Sequence, residues 1–324
     1  DSDTLYQIDP ISGDAIIEVV YENHPVKGEF TVVKKGEVLK DYGKDFKYEI
    51  ENLAGAVFAI YAAEDIYTAD FQKDDAGNRI LEYAKDALVT ELTTDETGSA
   101  TIKNLPLGNY KVVEKTAPDG FVHNGTEQNV QYVYVDQNTP VVVESVEFIN
   151  ERQKVEISVE KQDAENGSTI AGAEFGLYAK EDIKAGEKVI VKADEQLCTA
   201  VTGDDGTAVF EQDLPFGSYY IKELQAPDGF VSSDEIIEVT VSYQGQDVEV
   251  VRLKEIFKNQ PTTVEFTKSD LTTGVELDGA TLTVLDKDGD EIDKWTSVKG
   301  EPHIIKRLHV GETYIMREEF APYG

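Results

Sequence analysis

A glutamate four residues behind a tyrosine, followed by an Ala-Pro-x-Gly turn, is written three times in this chain. The copies are Tyr110–Phe121 (YKVVEKTAPDGF), Tyr219–Phe230 (YYIKELQAPDGF) and Tyr314–Gly324 (YIMREEFAPYG). Strand alternation puts Tyr110, Val112 and Glu114 on one face, and Tyr219, Ile221 and Glu223 likewise. A carboxylate in register with apolar neighbours points into a core, where a charge is costly unless it is paired. Any fold for this chain has to answer that glutamate.

Three further elements repeat around the box. A strand ending in lysine occurs as Phe30–Lys34, Ile157–Lys161 and Val264–Lys268. A Gly-Ala strand occurs at Gly55–Tyr61, Gly172–Tyr178 and Gly279–Leu285. A strand ending in asparagine occurs as Val19–Asn23, Val146–Asn150 and Glu255–Asn259. Glu114 to Asn150 and Glu223 to Asn259 are both 36 residues (150 − 114 and 259 − 223). Asn23 to Lys34 and Asn150 to Lys161 are both 11 residues, while Asn259 to Lys268 is 9. The equal gap selects Lys34 over its neighbour Lys35, which faces the other way.

Each complete unit therefore reads lysine strand, Gly-Ala strand, glutamate box, asparagine strand. Residues 28–152 form one unit and 153–260 another. Residues 1–27 read as the closing strands of a preceding unit, and 261–324 open a unit lacking its last strand. Short strands with Gly, Pro and Asp turns predict an all-β fold of small tandem β-sandwiches. Short helical turns are expected only in the insert around Asp65–Leu92. The tight Asn-to-Lys junctions predict an extended, semi-rigid array.

Charge narrows the partners. Lys+Arg 30 against Asp+Glu 64 gives a formal net charge of −34, which repels nucleic acid and anionic membranes. No stretch approaches a membrane span, and Asp1 opens no signal peptide, so the sequence reads as a mature segment. One cysteine, Cys198, excludes an internal disulfide framework.

Burial supplies a chemistry for the repeated polar residues. A lysine in an apolar site is pushed towards the neutral, nucleophilic amine, and a buried carboxyl group towards its acid form. An asparagine amide is then an electrophile if an acid polarises its carbonyl and assists departure of ammonia. The product is a Lys–Asn isopeptide bond, with the fold supplying the effective molarity. The chemistry turns over once, on the chain itself, so no external-substrate enzyme is expected.

The boxes YKVVEKTAPDGF and YYIKELQAPDGF resemble the E box of Gram-positive pilins, and the whole repeat is similar to the Cna-B-type (SpaA-like) domain of surface adhesins. The resemblance implies an immunoglobulin-like, prealbumin-type sandwich and an intramolecular isopeptide bond. Matched residue by residue, it implies Lys34–Asn150 assisted by Glu114, and Lys161–Asn259 assisted by Glu223. Lys268, Glu318 and Asn23 are orphans of incomplete units. Residues 1–27 could fill the sandwich begun by 261–324, or a longer array could simply be interrupted at both ends. The resemblance also implies an extracellular protein held at the cell wall by regions outside this sequence. Its partners would be neighbouring domains of the same protein. The leading expectation is a structural stalk; the alternative is a first unit, 28–152, whose insert binds a ligand on a host or neighbouring cell.

Other constellations are weaker. Asp286–Glu291 has its glycine misplaced for a calcium loop and predicts a hairpin turn. The four histidines, His24, His123, His303 and His309, lack metal spacing. No metal or cofactor is expected.

Overall fold

The structure is a computed structural model that describes residues 24–136 and 138–321. Asn23, and with it the strand Val19–Asn23, lies outside the described residues. Among the described residues every regular element is a β-strand, in line with the all-β expectation. The first set is β1 (Lys27–Tyr42), β2 (Phe46–Asn52), β3 (Val57–Ala62), β4 (Ile66–Tyr67), β5 (Leu81–Tyr83), β6 (Leu88–Thr93), β7 (Ser99–Leu105), β8 (Gly108–Thr116), β9 (Glu127–Tyr132) and β10 (Val141–Asn150). The second is β11 (Lys154–Asp163), β12 (Glu174–Ala179), β13 (Ile183–Ala185), β14 (Lys188–Val191), β15 (Gln196–Val201), β16 (Thr207–Phe210), β17 (Gly217–Gln225), β18 (Ile236–Val241) and β19 (Val250–Asn259). The third is β20 (Thr263–Phe266), β21 (Thr281–Leu285), β22 (Glu291–Thr296), β23 (His303–Lys306) and β24 (Ile315–Phe320).

Each set makes two main sheets packed on a shared core, and the first and second sets each add a two-stranded sheet, β4-β5 and β13-β14. In the first unit, β1 pairs with β10 on one edge and with β7 and then β2 on the other, and the opposing sheet runs β6-β3-β8-β9. The second unit repeats this as β16-β11-β19 against β15-β12-β17-β18. The first and last strands of each unit lie side by side and parallel, with Gly36 opposite Asn150 and Asp163 opposite Asn259. A lysine two residues earlier on the neighbouring strand therefore shares a face with the asparagine.

The core follows the alternation. Phe30, Val32, Phe58, Ile60, Tyr110 and Val112 are fully buried in the first unit, as are Ile157, Val159, Phe175, Leu177, Tyr219 and Ile221 in the second. The leading tyrosine of each box also ties down the turn before it. Tyr110 Oη donates to Pro106 O at 2.9 Å, and Tyr219 Oη to Pro215 O at 2.6 Å. The insert around Asp65–Leu92 holds β4, β5 and part of β6 where helical turns were expected. Asp65 accepts from Lys85 N at 2.8 Å, which closes the insert across its base without a helix. Asp286–Asp290 forms the expected turn, with Asp286 Oδ1 accepting from Asp288 N and Asp290 N, both at 2.9 Å.

One feature is peculiar to the first unit. Lys34 to Gly55 spans 21 residues (55 − 34), whereas Lys161 to Gly172 and Lys268 to Gly279 each span 11. The extra length extends β1 and β2 into a hairpin that crosses onto the second unit. Its tip residue Phe46 is buried in the second unit's core, in the cluster that holds Leu197, Leu214 and Tyr219. Tyr42 Oη donates to Leu197 O at 3.3 Å, and Tyr48 Oη to Asp213 O at 2.9 Å.

The linker between the first two units is buried in the same seam. The Arg152 guanidinium stacks 3.7 Å from the Tyr48 ring centroid and pairs with Asp213 and Glu37. Gln153 donates to Gly245 O at 3.0 Å and to Val248 O at 2.6 Å, bonding the linker to the β18–β19 loop.

Candidate functional site

The sequence-selected triplets come together in both complete units. Lys34, Glu114 and Asn150 are each at most 1% exposed; Lys161 is 0% and Asn259 2% exposed. Strand alternation aims them inward: β1 and β11 carry the lysine, β8 and β17 the glutamate, β10 and β19 the asparagine. The register of β3 on β8 sets Glu114 opposite Phe58, and that of β12 on β17 sets Glu223 opposite Phe175. Each triplet lies among a tilted aromatic pair, Phe58–Phe148 in one unit and Phe175–Phe257 in the other, with both centroid separations 4.8 Å.

In the second unit Lys161 Nζ lies 2.8 Å from Glu223 Oε1 and donates to Asn259 Oδ1 at 2.5 Å. Asn259 Nδ2 donates to Glu223 Oε1 and Oε2 at 2.8 and 3.0 Å. Ser233 N steadies the carboxylate from outside, donating to Glu223 Oε2 at 2.8 Å. In the first unit Lys34 Nζ lies 2.8 Å from Glu114 Oε1, while Asn150 Nδ2 donates to Glu114 Oε2 at 2.8 Å and Oε1 at 3.1 Å. That Lys34–Glu114 contact is close but outside hydrogen-bond geometry. Among the described residues, Lys34 Nζ and Asn150 Oδ1 are left without hydrogen-bond partners.

Burial dominates the electrostatics of the lysines. It pulls Lys34 and Lys161 below the ordinary lysine value, against the opposing pull of Glu114 and Glu223. The arrangement thus holds an amine biased towards its neutral form, a carboxyl group bridging to a carboxamide, and little room for water. Lys35 illustrates the contrast, lying on the outer face with Glu147.

The third unit holds an incomplete version. Lys268 Nζ donates to Glu318 Oε2 at 3.1 Å, but the two side chains are 28% and 36% exposed. No asparagine strand accompanies β20 among the described residues.

Two sets of residues escaped the sequence reading. A hydroxyl clasps each Gly-Ala strand: Thr94 Oγ1 accepts from Ala56 N at 3.1 Å, Thr202 Oγ1 from Ala173 N at 3.0 Å, and Ser297 Oγ from Ala280 N at 3.0 Å. Its signal was the Thr or Ser repeated one residue past β6, β15 and β22. The second set is the Ala-Pro-Asp-Gly-Phe half of the box, which grips the next linker. Gln153 N donates to Gly120 O at 2.8 Å and Val122 N to Glu151 O at 2.9 Å. The next junction repeats this, with Thr262 N to Gly229 O and Val231 N to Gln260 O, both 2.9 Å. Gly229 has φ +79°, and a Cβ there would lie 2.8 Å from Arg307 O, so the close approach requires glycine. Leu53, Ala117 and Phe121 form a small buried cluster in the first unit, joined by Val38. Val38 and Leu53 belong to the β1–β2 arm, so hairpin and box loop pack together beside the junction.

Comparison with known proteins places this fold. Among solved structures the Bacillus anthracis TIE protein matches at 25% identity and TM-score 0.58, over 91% of this chain and 46% of its own. A streptococcal ancillary pilin matches at 21% identity and TM-score 0.28, over 74% of this chain and 64% of its own. The shaft pilin spaA from Lactobacillus rhamnosus GG matches at 14% identity and TM-score 0.27, over 73% of this chain and 98% of its own. This chain thus spans about half the length of the TIE protein. A search of curated proteins returned no match. The profile of the SpaA prealbumin-like fold domain matches residues 44–147, 155–255 and 262–324, one match on each set of sheets. With most of its length covered by three successive matches, the chain belongs to the SpaA prealbumin-like fold domain family.

Proposed function

We propose that this chain is a stalk segment of a Gram-positive surface adhesin or pilus-associated protein, hardened by Lys34–Asn150 and Lys161–Asn259 isopeptide bonds. The observation that carries the proposal is the recurrence of a buried Lys–Glu–Asn triplet across the first and last strands of two successive units. A lone buried ion pair contributes little net stability, so a pair recurring with an amide at one spacing calls for another role. The units are taken as 28–152, 153–260 and 261–324, with 1–27 closing a unit before them.

The chemistry balances within each triplet. Glutamate takes a proton from the lysine ammonium, and the neutral Nζ attacks Cγ of the asparagine. The acid form of the glutamate stabilises the oxygen of the tetrahedral intermediate and then delivers a proton to Nδ2. The Nζ–Cγ bond forms and the Cγ–Nδ2 bond breaks; the regenerated carboxylate takes the second proton from Nζ and passes it to the departing ammonia, which leaves as ammonium. Glu114 and Glu223 end as they began. In the first unit the reaction also removes a buried amine that is ion-paired with Glu114, a charge that is costly to keep out of water.

Loops of 116 residues (150 − 34) and 98 residues (259 − 161) would be closed. Cross-links of that span contribute about 4–5 kcal/mol through the unfolded state. Joining adjacent parallel strands also diverts a pulling force from hydrogen bonds to covalent bonds, as a stalk under shear requires. Peptide mapping after digestion tests the assignment. It is expected to recover a branched peptide joining Lys34 to Asn150, and separate linear peptides for these residues would refute it. Neighbouring units of the same surface protein are the partners this reading supplies.

A further inference from the structure

At both internal junctions, one end of a sandwich is covered by the Gly-Phe corner of the preceding unit's box. On the second unit and the linker leading into it, the receiving residues are Arg152, Gln153, Pro215, Phe216 and Tyr243. Phe121 bridges to Arg152, Tyr243 Oη donates to Phe121 O at 3.5 Å, and a Cβ at Gly120 would sit 3.6 Å from Phe216. On the third unit Phe230 bridges to Pro261, the counterpart of Arg152.

The repeat assigns counterparts on the first unit. Counting back from Lys34 as from Lys161, Pro25 and Val26 correspond to Arg152 and Gln153. Pro106 and Leu107 correspond to Pro215 and Phe216 in the turn before the box strand. Tyr134, two residues past β9, corresponds to Tyr243, two residues past β18. These five residues line one cavity of about 390 Å³, which the insert walls with Phe71. Phe71 and Tyr134 are 57% and 59% exposed.

We infer that this end of the first unit is a socket for the Ala-Pro-x-Gly-Phe loop of another unit of the same family. The occupant's glycine would lie against Leu107 and its phenylalanine carbonyl would accept from Tyr134 Oη, as Gly120 lies against Phe216 and Phe121 O accepts from Tyr243 Oη. Its glycine carbonyl would accept from Val26 N, as Gly120 O accepts from Gln153 N. The loop belongs to the unit before this one in the array, because both internal junctions run in that direction. The inference deepens the stalk reading by naming the partner at one end; it uses neither isopeptide bond, so the two fail independently.

The test titrates the whole chain with a synthetic peptide carrying residues 225–231, Gln-Ala-Pro-Asp-Gly-Phe-Val, and follows labelled Val and Leu methyl groups by NMR. Saturable shifts are expected at Val26 and Leu107 and not at Leu285. The peptide with Gly229→Val is expected to bind about tenfold more weakly or worse, because a side chain there opposes the left-handed turn and the close approach. Tyr134→Ser, a change at an exposed residue, is expected to weaken binding while the remaining methyl spectrum keeps its pattern. Absence of shifts at Val26 and Leu107, equal binding of the Gly229→Val peptide, or the same saturable shifts produced only by an oligosaccharide panel would overturn the inference.

Discussion

Lys161 Nζ lies 2.5 Å from the side-chain carbonyl oxygen of Asn259, across two parallel strands whose residues are 98 apart (259 − 161). The contact holds the nucleophile beside the carbon it would attack, with Glu223 2.8 Å from the same amine. Glu223→Gln keeps the shape and removes the proton carrier. It is expected to leave the Lys161–Asn259 bond unformed and to raise the intact mass by one ammonia, apart from the substitution itself. Mapping of the Lys34–Asn150 peptide, unchanged in the same sample, checks that the effect is local.

Glu114→Ala goes further, because it strands a buried amine. Breaking a buried pair by removing one partner costs about 3–5 kcal/mol, and the lost cross-link adds to that. The first unit is expected to unfold at a lower denaturant concentration, read by hydrogen exchange on β3 and β8. A double substitution, Glu114→Leu with Lys34→Met, is expected to recover part of the loss, since an apolar pair leaves no charge to bury.

The pH dependence of an uncross-linked unit follows from the lowered pKa of Lys34. Take Asn150→Ala, in which no bond can form. Burial holds the folded pKa below the unfolded value near 10.5, so between the two the unfolded chain binds more protons. Stability is therefore lowest below the folded pKa, rises with pH through that window, and levels off above the unfolded value. The difference in unfolding free energy between Asn150→Ala and Asn150→Ala/Lys34→Met, measured from neutral to alkaline pH, is expected to shrink as pH rises. A difference constant with pH would contradict the cause assigned here.

The β1–β2 hairpin predicts that the units are not independent. Phe46 is 6% exposed in a core that belongs to the second unit. Phe46→Ala is expected to cost about 3 kcal/mol. The loss is expected as faster hydrogen exchange in β15, while β3 of the first unit is unaffected. Exchange that rises only in β1 and β2 would mean the hairpin rests on the second unit without supporting it.

Much of this was readable because the repeats constrain one another. A lysine on a strand is ordinary, but equal spacing singled out Lys34, and Lys34 is buried while Lys35 reaches Glu147 at the surface. The inward faces of β8 and β17 followed from period-two alternation alone. The hairpin was harder. Its ten extra residues are visible when Lys34–Gly55 is set beside Lys161–Gly172, yet nothing local says that Phe46 packs on a neighbouring unit. The insert was expected to hold helical turns, and strand pairing with Tyr83 overrode that expectation at Ile66. Junction residues such as Arg152 were silent for the same reason, since their partners Tyr48 and Asp213 lie far away in sequence. The partly exposed Lys268–Glu318 pair marks the contrast, because among the described residues no asparagine strand lies beside β20 and the same two residue types remain open to water.

The central claim is that the two buried triplets have become covalent bonds. Intact mass spectrometry of the denatured chain tests it most directly. The account predicts a mass below that of the sequence by two ammonia molecules, one from Asn150 and one from Asn259. A mass equal to that of the unmodified sequence would contradict it.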